Sequence, residues 1–539
     1  MSDSSVSDPA TQASTADGKL ERDLLALLGS DGCIADDETL TLHSADLLEA
    51  AGRCRAVIRP ADKDELAKAV SLISKAGVAM APRGGGLTYV RGYTMPEDGF
   101  ISVDLSRMNR ILEISERDMY ITVEPGVTWR QIYLALKPMG LRLPFFGTFS
   151  GRGATVGGGL SNGALFLGTA RYGSAAEIVL GLQVVTGEGD LVRTGQLAVK
   201  NAKTPFFRTF GPDMTGVFVH DAGALGIKAQ ATLRLIRQPE VTEFLSFGFR
   251  DRAAAVEALS EVGRSEIAEE AYVMDPDKTK ASLTADTDLV RDAKMLAKVV
   301  RQEKNILRGM KAGAKLAASG RNIVEDGCHS LHLVLSGRGR AAVEQDMETA
   351  RKIVEKLGGE ELPDSIPRAG RADLFPPLDS VVGPDADRWV ALNAKIAHSE
   401  ASALVDAVES CIDGYMPDFE KHGVVVSRLL TVICNHAFSY EPVFNWCDSW
   451  LPMHKATLPA EALRKLTEPE PNPEARALVM KARQDIVDIF RDFGAASNQI
   501  GRTYPYAEIL HPESRKLLED VKSAVDPKRL LNPGAIGLN

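Results

Sequence analysis

The stretch PRGGGLTYVRG, residues Pro82–Gly92, decides how the fold is predicted. It places three consecutive glycines directly after the apolar run VAMAP, a pattern typical of a short buried strand. Residues without a Cβ let main-chain N–H groups approach a bound group closely. A flexible turn is the alternative interpretation. The stretch therefore predicts a main-chain binding loop or a turn.

The segments on either side distinguish this loop from a dinucleotide-binding turn. A helix is predicted before the strand, since Asp62 and Glu65 have capping-box spacing and Gly77 stops the apolar pattern. After the glycines the sequence alternates strand-like runs with turns. A Rossmann turn needs glycines that lead into a helix N-terminus, so that class is excluded.

Two more glycine-rich segments follow within the first 240 residues. GTFSGRGATVGGGLSNGALFLGTARYG, Gly147–Gly173, carries G-x-G-x-x-x-G and lacks Gly-Lys-Ser/Thr, which excludes both the Rossmann and the P-loop motifs. DAGALGIKAQATLRLI, Asp221–Ile236, leads another glycine loop into a strand. The N-terminal part is thus predicted as an α+β unit with three glycine-lined loops.

Length and composition limit the function classes. A chain of 539 residues is too long for one ordinary core. The formal net charge of -10 argues against nucleic acid as a partner. Six scattered cysteines without a C-x-x-C pair predict no metal site and reduced thiols in the cytoplasm. No apolar run approaches the roughly 20 residues of a membrane span, so no membrane partner is predicted.

The chain divides into four predicted segments. Residues 1–18 lack the basic and apolar regions of a signal peptide and are predicted as a disordered tail. Residues 19–240 contain the glycine loops. Residues 241–455 alternate strands with helices, including one predicted over 295–319, and indicate an α/β module with an antiparallel sheet. Residues 456–539 form the last segment.

The ordered motifs resemble those of FAD-linked oxidases and dehydrogenases of the vanillyl-alcohol oxidase and p-cresol methylhydroxylase (PCMH) type. The matching stretches are RPADKDELAKAV, PRGGGLTYV, SVDLSRMNRILEISERDMYITVEPGVTW, ATVGGGLSNGALFLGTARYG, GALGIKAQATL and VDPKRLLNPGAIG. The resemblance implies a two-part FAD-binding domain, formed by 19–240 with 456–539, under a cap domain formed by 241–455. It also implies FAD as cofactor.

The resemblance assigns the cofactor contacts to the three loops and the C-terminus. The implied FAD-binding residues are Pro82, Arg83, Gly84, Gly85, Gly86, Leu87, Thr88, Pro125, Gly126, Thr155, Val156, Gly157, Gly158, Gly159, Ser161, Asn162, Tyr172, Gly173, Gly223, Gly226, Ile227 and Asn532. Several relatives attach the flavin through a histidine at the position of Leu87, or through a cysteine near Gly153. This chain has leucine at position 87 and no cysteine near Gly153, so non-covalent FAD is expected. Attachment of the flavin to a side chain of the cap stays open.

Candidate catalytic residues cluster in GRTYPYAEIL, residues 501–510. If this stretch is extended, Arg502, Tyr504 and Tyr506 share one face. Phenol-oxidising relatives use tyrosines and an arginine to stabilise a phenolate, which also brings in Tyr89. The arginine equally suits a carboxylate. The alternative is that the two tyrosines pack the seam between the domains and Arg502 forms a surface ion pair.

His436 is a further candidate. It is predicted on a cap strand in NHAFSYEPVFNW and could serve as base for a substrate hydroxyl, although a core histidine fits equally.

The predicted activity is oxidation of a hydroxyl-bearing small molecule, with an aromatic alcohol or para-substituted phenol as substrate. A D-2-hydroxy acid is the alternative substrate. It ranks second because the Glu-His pair of hydroxy-acid dehydrogenases is missing from SNQIGRTYPY. A flavoprotein subunit of a larger electron-transfer complex is another alternative. Oxygen or an electron-transfer protein would be the acceptor, and self-association or a hetero-complex is the expected assembly.

Overall fold

The computed structural model describes residues 9–277, 327–383 and 385–539. The helix predicted over 295–319 and residues 1–8 of the predicted tail lie outside the described residues. Residues 9–18 of that tail are helical, because they begin a longer helix, α1 (Pro9–Leu28). Leu20, Leu24 and Leu28 of α1 are buried and anchor it.

A small sheet near the N-terminus carries the first glycine loop. Its strand order is β1-β2-β4-β3, with β2, β4 and β3 parallel, and it packs on α1 and α3. Asp62 caps α3 with its side chain, as predicted. The elements are β1 (Cys33–Ile34), α2 (Asp37–His43), β2 (Ala56–Ile58), α3 (Lys63–Lys75), β3 (Met80–Arg83) and β4 (Ile101–Asp104).

A five-stranded antiparallel sheet carries the other two glycine segments. Its order is β5-β6-β10-β8-β9. Trp129, which begins α4 after the N-cap Thr128, is fully buried in the same core as strand residues of this sheet. The elements are β5 (Ile111–Ser115), β6 (Tyr120–Val123), α4 (Trp129–Leu136), β7 (Leu141–Arg142), α5 (Val156–Ser161), α6 (Thr169–Tyr172), β8 (Val179–Val185), β9 (Leu191–Arg193), β10 (Ile227–Arg234) and β11 (Ile236–Arg237), which pairs with β7.

The cap contains an antiparallel sheet of eight strands in the described residues. Its order is β15-β12-β14-β13-β18-β19-β16, and β17 also pairs with β19. The prediction of an antiparallel cap sheet is confirmed. The strands are β12 (Val241–Phe249), β13 (Glu270–Met274), β14 (His329–Gly337), β15 (Glu360–Leu362), β16 (Arg388–Ala391), β17 (Ala394–Ile396), β18 (Val425–Ile433) and β19 (Ala437–Trp446).

One face of the cap sheet is apolar and covered by helices. Alternate strand residues such as Leu333, Val273 and Phe438 join one hydrophobic core with the helices. The helices from this point on are α7 (Arg252–Arg264), α8 (Arg340–Lys356), α9 (Ser365–Ala372), α10 (Ala401–His422), α11 (Pro452–Thr457), α12 (Ala460–Lys465), α13 (Pro473–Asp492) and α14 (Pro512–Val525). The opposite face of the sheet is turned toward the FAD-binding part.

The C-terminal segment divides differently from the prediction. Helix α13 packs on α10 and buries Val479, Ile486 and Phe490 in the cap core. The chain returns to the glycine-loop part after Ala496, where Leu531 and Leu538 are buried. The amphipathic pattern of α13 predicts that one face of the helix is buried, but it does not predict which part of the protein covers that face. The predicted boundary at 456 therefore places α13 in the C-terminal segment, whereas the helix packs on the cap.

A buried ion-pair cluster joins the two parts. Arg142 of β7 donates two hydrogen bonds, of 2.6 and 2.7 Å, to the carboxylate of Glu269, just before β13. Arg371 of α9 and the hydroxyl of Ser336 also donate to Glu269. Neither Arg142 nor Glu269 is more than 1% exposed. The arginines hold the pKa of Glu269 well below its usual range despite burial.

Candidate active site

The first glycine bend offers a row of free main-chain donors. It begins where β3 ends, at Arg83, and no helix follows. The six N–H groups from Gly84 to Tyr89 donate no hydrogen bond to an acceptor in the described residues. Buried N–H groups in proteins are nearly always paired. A continuous row of them fits an anionic ligand such as a pyrophosphate.

The three glycine segments meet at this bend. A Cβ on Gly85 would lie 2.1 Å from the carbonyl oxygen of Gly153. A Cβ on Gly84 would lie 2.4 Å from Oγ1 of Thr155, and one on Gly223, whose φ is +71°, would lie 2.4 Å from Cγ of Pro82. Side chains at these positions would separate the segments, so glycine is required by close approach.

The second glycine segment differs from the predicted loop. Thr155 caps a short helix, α5, that includes Gly157, Gly158 and Gly159. The N–H groups of Val156 and Gly157 donate to the carbonyls of Val127 and Pro125. Glycine has a low helix propensity, but tertiary contacts override it here. This segment therefore contributes close packing, and the first bend contributes the free donors.

The C-terminal segment ties the bends together. The Nδ2 of Asn532 donates to the carbonyls of Gly92, at 2.8 Å, and Ala222, at 2.6 Å. Lys522, which the sequence reasoning missed, is fully buried and donates to the carbonyls of Ala224 and Leu531. Its position on an amphipathic helix gave no signal, because lysine there is ordinarily exposed.

The other predicted cofactor residues surround the same bends. Pro82 and Arg83 end β3, Leu87 and Thr88 belong to the first bend, and Tyr172 and Gly173 end α6. Pro125 and Gly126 precede α4, Ser161 and Asn162 end α5, and Gly226 and Ile227 begin β10. The N–H groups of Leu225 and Gly226 also lack partners in the described residues. Together these residues fit a diphosphate-bearing cofactor.

The segment around Arg502 is folded into turns and is not extended as predicted. Arg502 donates to the carbonyls of Arg91 and Pro533 and to Oδ1 of Asn532. Burial lowers its pKa to about 10. Tyr506 packs against the core of the FAD-binding part, whereas Tyr504 belongs to the cap core. Because turns remove the period-2 alternation, the three side chains do not share a face.

Arg502→Ala is expected to destabilise the protein and its cofactor site without a selective effect on substrate. The substitution would remove three hydrogen bonds from the charged guanidinium to oxygen atoms. A hydrogen bond of this kind contributes about 1.5–3 kcal/mol to stability when it is strong. Thermal unfolding and FAD titration should both show the loss. A variant with normal stability and FAD affinity but a raised KM would contradict this structural role.

A second arginine, absent from the sequence predictions, lies next to Tyr504 and Tyr89. Arg483 of α13 is 3% exposed and donates to the carbonyl of Ala391 at 2.8 Å. Burial lowers its pKa to about 10, and both tyrosines lie near enough to oppose that shift. It forms no ion pair with a carboxylate in the described residues. Its position in an ordinary amphipathic helix concealed it.

The two tyrosine hydroxyls are buried and held in place. Gln499 donates to the Oη of Tyr89 at 3.3 Å, and the N–H of Asn393 donates to the Oη of Tyr504 at 2.8 Å. Burial raises the pKa of Tyr504 to about 12 and that of Tyr89 further. The charge of Glu441 raises both pKa values. Both hydroxyls are therefore donors at neutral pH.

His436 lies outside this group. It is exposed in the turn that connects β18 and β19, not on a strand as predicted. The alternation of NHAFSYEPVFNW begins only at Ala437, so the strand starts one residue later. Its exposure removes the pocket context on which its proposed role as a base depended.

A row of polar residues crosses the face of the cap sheet that is turned toward the FAD-binding part. The strand registers pair Ser246 with His332, His332 with Tyr272 and Tyr272 with Thr431. Thr431 pairs with Ser439, and Ser439 with Lys395 of β17. Directly paired residues share a face. Polar residues alternating with apolar ones were readable in each strand, but their alignment into one row depended on the register.

Several buried polar atoms in the row or elsewhere in the two parts have no hydrogen-bond partner among the described residues. Oγ1 of Thr431, Oδ1 of Asn393, Oδ1 of Asn162 and Oδ1 of Asn498 have no hydrogen-bond partner in the described residues. Nε2 of His220 also has no hydrogen-bond partner in the described residues, and burial lowers the pKa of this imidazole to about 4. Unpaired buried polar atoms are costly, and unused atoms of this kind are what a polar ligand can satisfy.

An aromatic stack runs alongside the row. Phe149 is 42% exposed, and its ring centroid lies 4.3 Å from that of Phe166. The ring centroid of Tyr272 lies 5.6 Å from that of Phe166 and 5.2 Å from that of His332. Phe166 has φ +142°, an unusual backbone conformation for an aromatic residue. Burial alone lowers the pKa of His332 to about 3, so its ring is neutral.

Comparison with known proteins agrees with this geometry. Residues 54–195 match the family described as FAD binding domain. The structure of p-cresol methylhydroxylase with substrate bound aligns over 97% of both chains with a TM-score of 0.71 and 21% identity. Residues 54–195 are thus an FAD binding domain, and the chain has the fold of p-cresol methylhydroxylase. The same fold is found in 4-ethylphenol oxidase from Gulosibacter chungangensis, with a TM-score of 0.68, 16% identity and 97% coverage of both chains.

Relatives found by sequence match a shorter part of the chain. The glycolate oxidase subunit GlcD of Bacillus subtilis is 33% identical over 207 residues, 38% of this chain and 42% of that protein. The mitochondrial cytochrome D-lactate dehydrogenase of Arabidopsis thaliana is 32% identical over 184 residues, 34% of this chain and 30% of that protein. The matches thus span less than half of either relative. The predicted fold class and FAD cofactor are confirmed.

No helix in the described residues has both the length and the apolar character of a membrane span. The same residues contain no cluster of three or more side chains suited to a metal ion.

Proposed function

We propose that this FAD-dependent oxidoreductase oxidises an aromatic alcohol or a para-substituted phenol. The observation that carries the proposal is the aromatic stack, which begins at the exposed ring of Phe149 and ends at Tyr272 and His332 on the polar cap face. Aromatic rings attract one another in offset or tilted arrangements, so the exposed ring of Phe149 could pack in the same way against a planar aromatic ligand. Bound FAD would supply the two-electron acceptor for the oxidised carbon.

Tyr89, Tyr504 and Arg483 would hold the substrate oxygen. Two hydroxyl donors and a guanidinium stabilise an anionic oxygen such as a phenolate. The arginine has no carboxylate partner in the described residues, so its charge is available to a ligand. Glu441, on the same face of β19 as Ser439, would accept the proton from the substrate hydroxyl.

The cap sheet would exclude water from this site. Ser246, His332 and Ser439 lie in its buried polar row, and each is at most 2% exposed. Exclusion of water strengthens the electrostatic interactions of the tyrosine and arginine donors with the substrate.

A D-2-hydroxy acid is the second candidate substrate. The sequence relatives named for glycolate and D-lactate favour it, and so does an arginine able to bind a carboxylate in a bidentate manner. The third candidate is a flavoprotein subunit that passes electrons to a protein partner.

Anaerobic mixing of the purified flavoprotein with a substrate panel tests the proposal. Vanillyl alcohol and 4-cresol should bleach the flavin absorbance at least about tenfold faster than D-lactate and glycolate, since the aromatic stack favours flat rings. Faster bleaching by the hydroxy acids would overturn the aromatic assignment. Admission of air after reduction then distinguishes oxygen from a protein acceptor.

A further inference from the structure

Lys395 ends the polar row and points toward the FAD-binding part. It pairs with Ser439, and its neighbours Ala394 and Ile396 belong to the apolar core on the opposite face. Its main chain is fixed by two hydrogen bonds to Ala496, at 2.6 and 3.0 Å. Its side chain is half-buried. The sheet register thus presents an ammonium group to the site.

This ammonium group has no anionic partner in contact. No ion pair or side-chain hydrogen bond of Lys395 exists in the described residues. The nearby titratable groups are Glu177 and the neutral His220. Burial lowers the pKa of Lys395 to about 8, and Glu177 opposes this only in part. A poorly solvated cation gains more from a ligand anion than an exposed one does.

The surroundings of the ammonium group are those of a ligand site. His220 and Asn498 lie against Gly163, where a Cβ would be 2.3 Å from Cε1 of His220 and 2.7 Å from the carbonyl oxygen of Asn498. Nε2 of His220 and Oδ1 of Asn498 are both unpartnered. Asn498 is 4% exposed. A cation and two unused polar atoms therefore converge beside the second glycine segment.

We propose that Lys395 binds an anionic oxygen in this site, supplied by a carboxylate or phenolate of the substrate or by the reduced cofactor. The proposal rests on the proposed function for the location of the site. It adds a cap residue at the opposite end of the site from Phe149.

The first test measures ligand binding to the oxidised flavoprotein. Benzoate and the uncharged benzamide have the same shape, and binding of either is followed by the flavin absorbance. Lys395→Met should weaken benzoate binding by at least about 30-fold and leave benzamide within about threefold. Lys395→Arg should keep most of the affinity for benzoate, and the exposed Lys352→Met should match the unmodified protein.

The second test measures the reduction potential of the flavin without any ligand. If the reduced cofactor is the anion, Lys395→Met should disfavour the reduced form about tenfold, which is a fall of about 30 mV for two electrons. Benzoate binding would then be unchanged. Either result supports the proposal and identifies the source of the anion.

Unchanged benzoate affinity together with an unchanged potential would overturn the proposal. Equal losses in the methionine and arginine variants would also overturn it, because charge would not be the cause. Neither test involves turnover. Failure of the proposed function would instead appear as a flavin that no aromatic alcohol or phenol reduces.

Discussion

Gly85→Val should give a folded protein that is colourless or nearly so. A Cβ at this position would lie 2.1 Å from the carbonyl oxygen of Gly153, a main-chain atom that cannot move aside. The valine would force apart the first and second glycine segments, which the six free N–H groups need in order to enclose a ligand. We expect FAD to bind roughly 100-fold more weakly, from the upper range of overpacking costs.

Flavin absorbance and FAD titration of the apoprotein measure this effect, with circular dichroism to verify folding. Gly414→Ala is the matched control, because Gly414 lies inside α10 and a Cβ there has nothing within 4 Å. That variant should bind FAD normally and be slightly more stable, since alanine has a higher helix propensity. Full flavin occupancy in Gly85→Val would contradict the assignment of this bend.

Glu269→Ala should cause the largest loss of stability among single substitutions between the two parts. Its carboxylate accepts from Arg142, Arg371 and Ser336 in a fully buried position. The substitution would leave Arg142 buried without its partner, which costs about 3–5 kcal/mol in comparable cases. The loss is measured as the change in the free energy of unfolding by denaturant. The exposed pair Arg351 and Glu361 supplies the control, where Glu361→Ala should cost under about 1 kcal/mol.

The same carboxylate should make stability depend on acid pH. The pKa of Glu269 is lowered in the folded state, so its stabilising contribution is complete above the unfolded pKa and is lost as the pH falls toward the folded value. The unfolding free energy should therefore fall less steeply between about pH 5 and pH 2 in Glu269→Gln than in the unmodified protein. Parallel curves would contradict the cluster.

Local patterns predicted the glycine-loop part well. The capped helix α3, the strand before PRGGG and the absence of a following helix all follow from near neighbours in the chain. Capping, turn chemistry and period-2 alternation are short-range effects, so a single sequence expresses them fully. FAD was implied by the resemblance of the ordered motifs to a known family.

The active-site residues were harder to predict because they come from distant segments. Arg483 and Lys522 look like ordinary helix residues in the sequence, but packing buries both of them. Lys395 looks like an ordinary strand residue, but its side chain is half-buried. Arg502 looked catalytic, yet the turns around it direct its guanidinium to main-chain oxygens. A charge far along the chain acquires a role only through the partners that folding brings to it.

The order of the glycine bends and the alternation of strands with helices in 241–455 could be read from the sequence, because each depends on residues close in the chain. FAD followed from the resemblance of the ordered motifs to a known family. The side chains of the proposed substrate site are brought together only by folding, since the polar row from Ser246 to Lys395 exists only when five strand registers align. A shift of one residue in any of these registers would turn that strand's polar side chains into the apolar core.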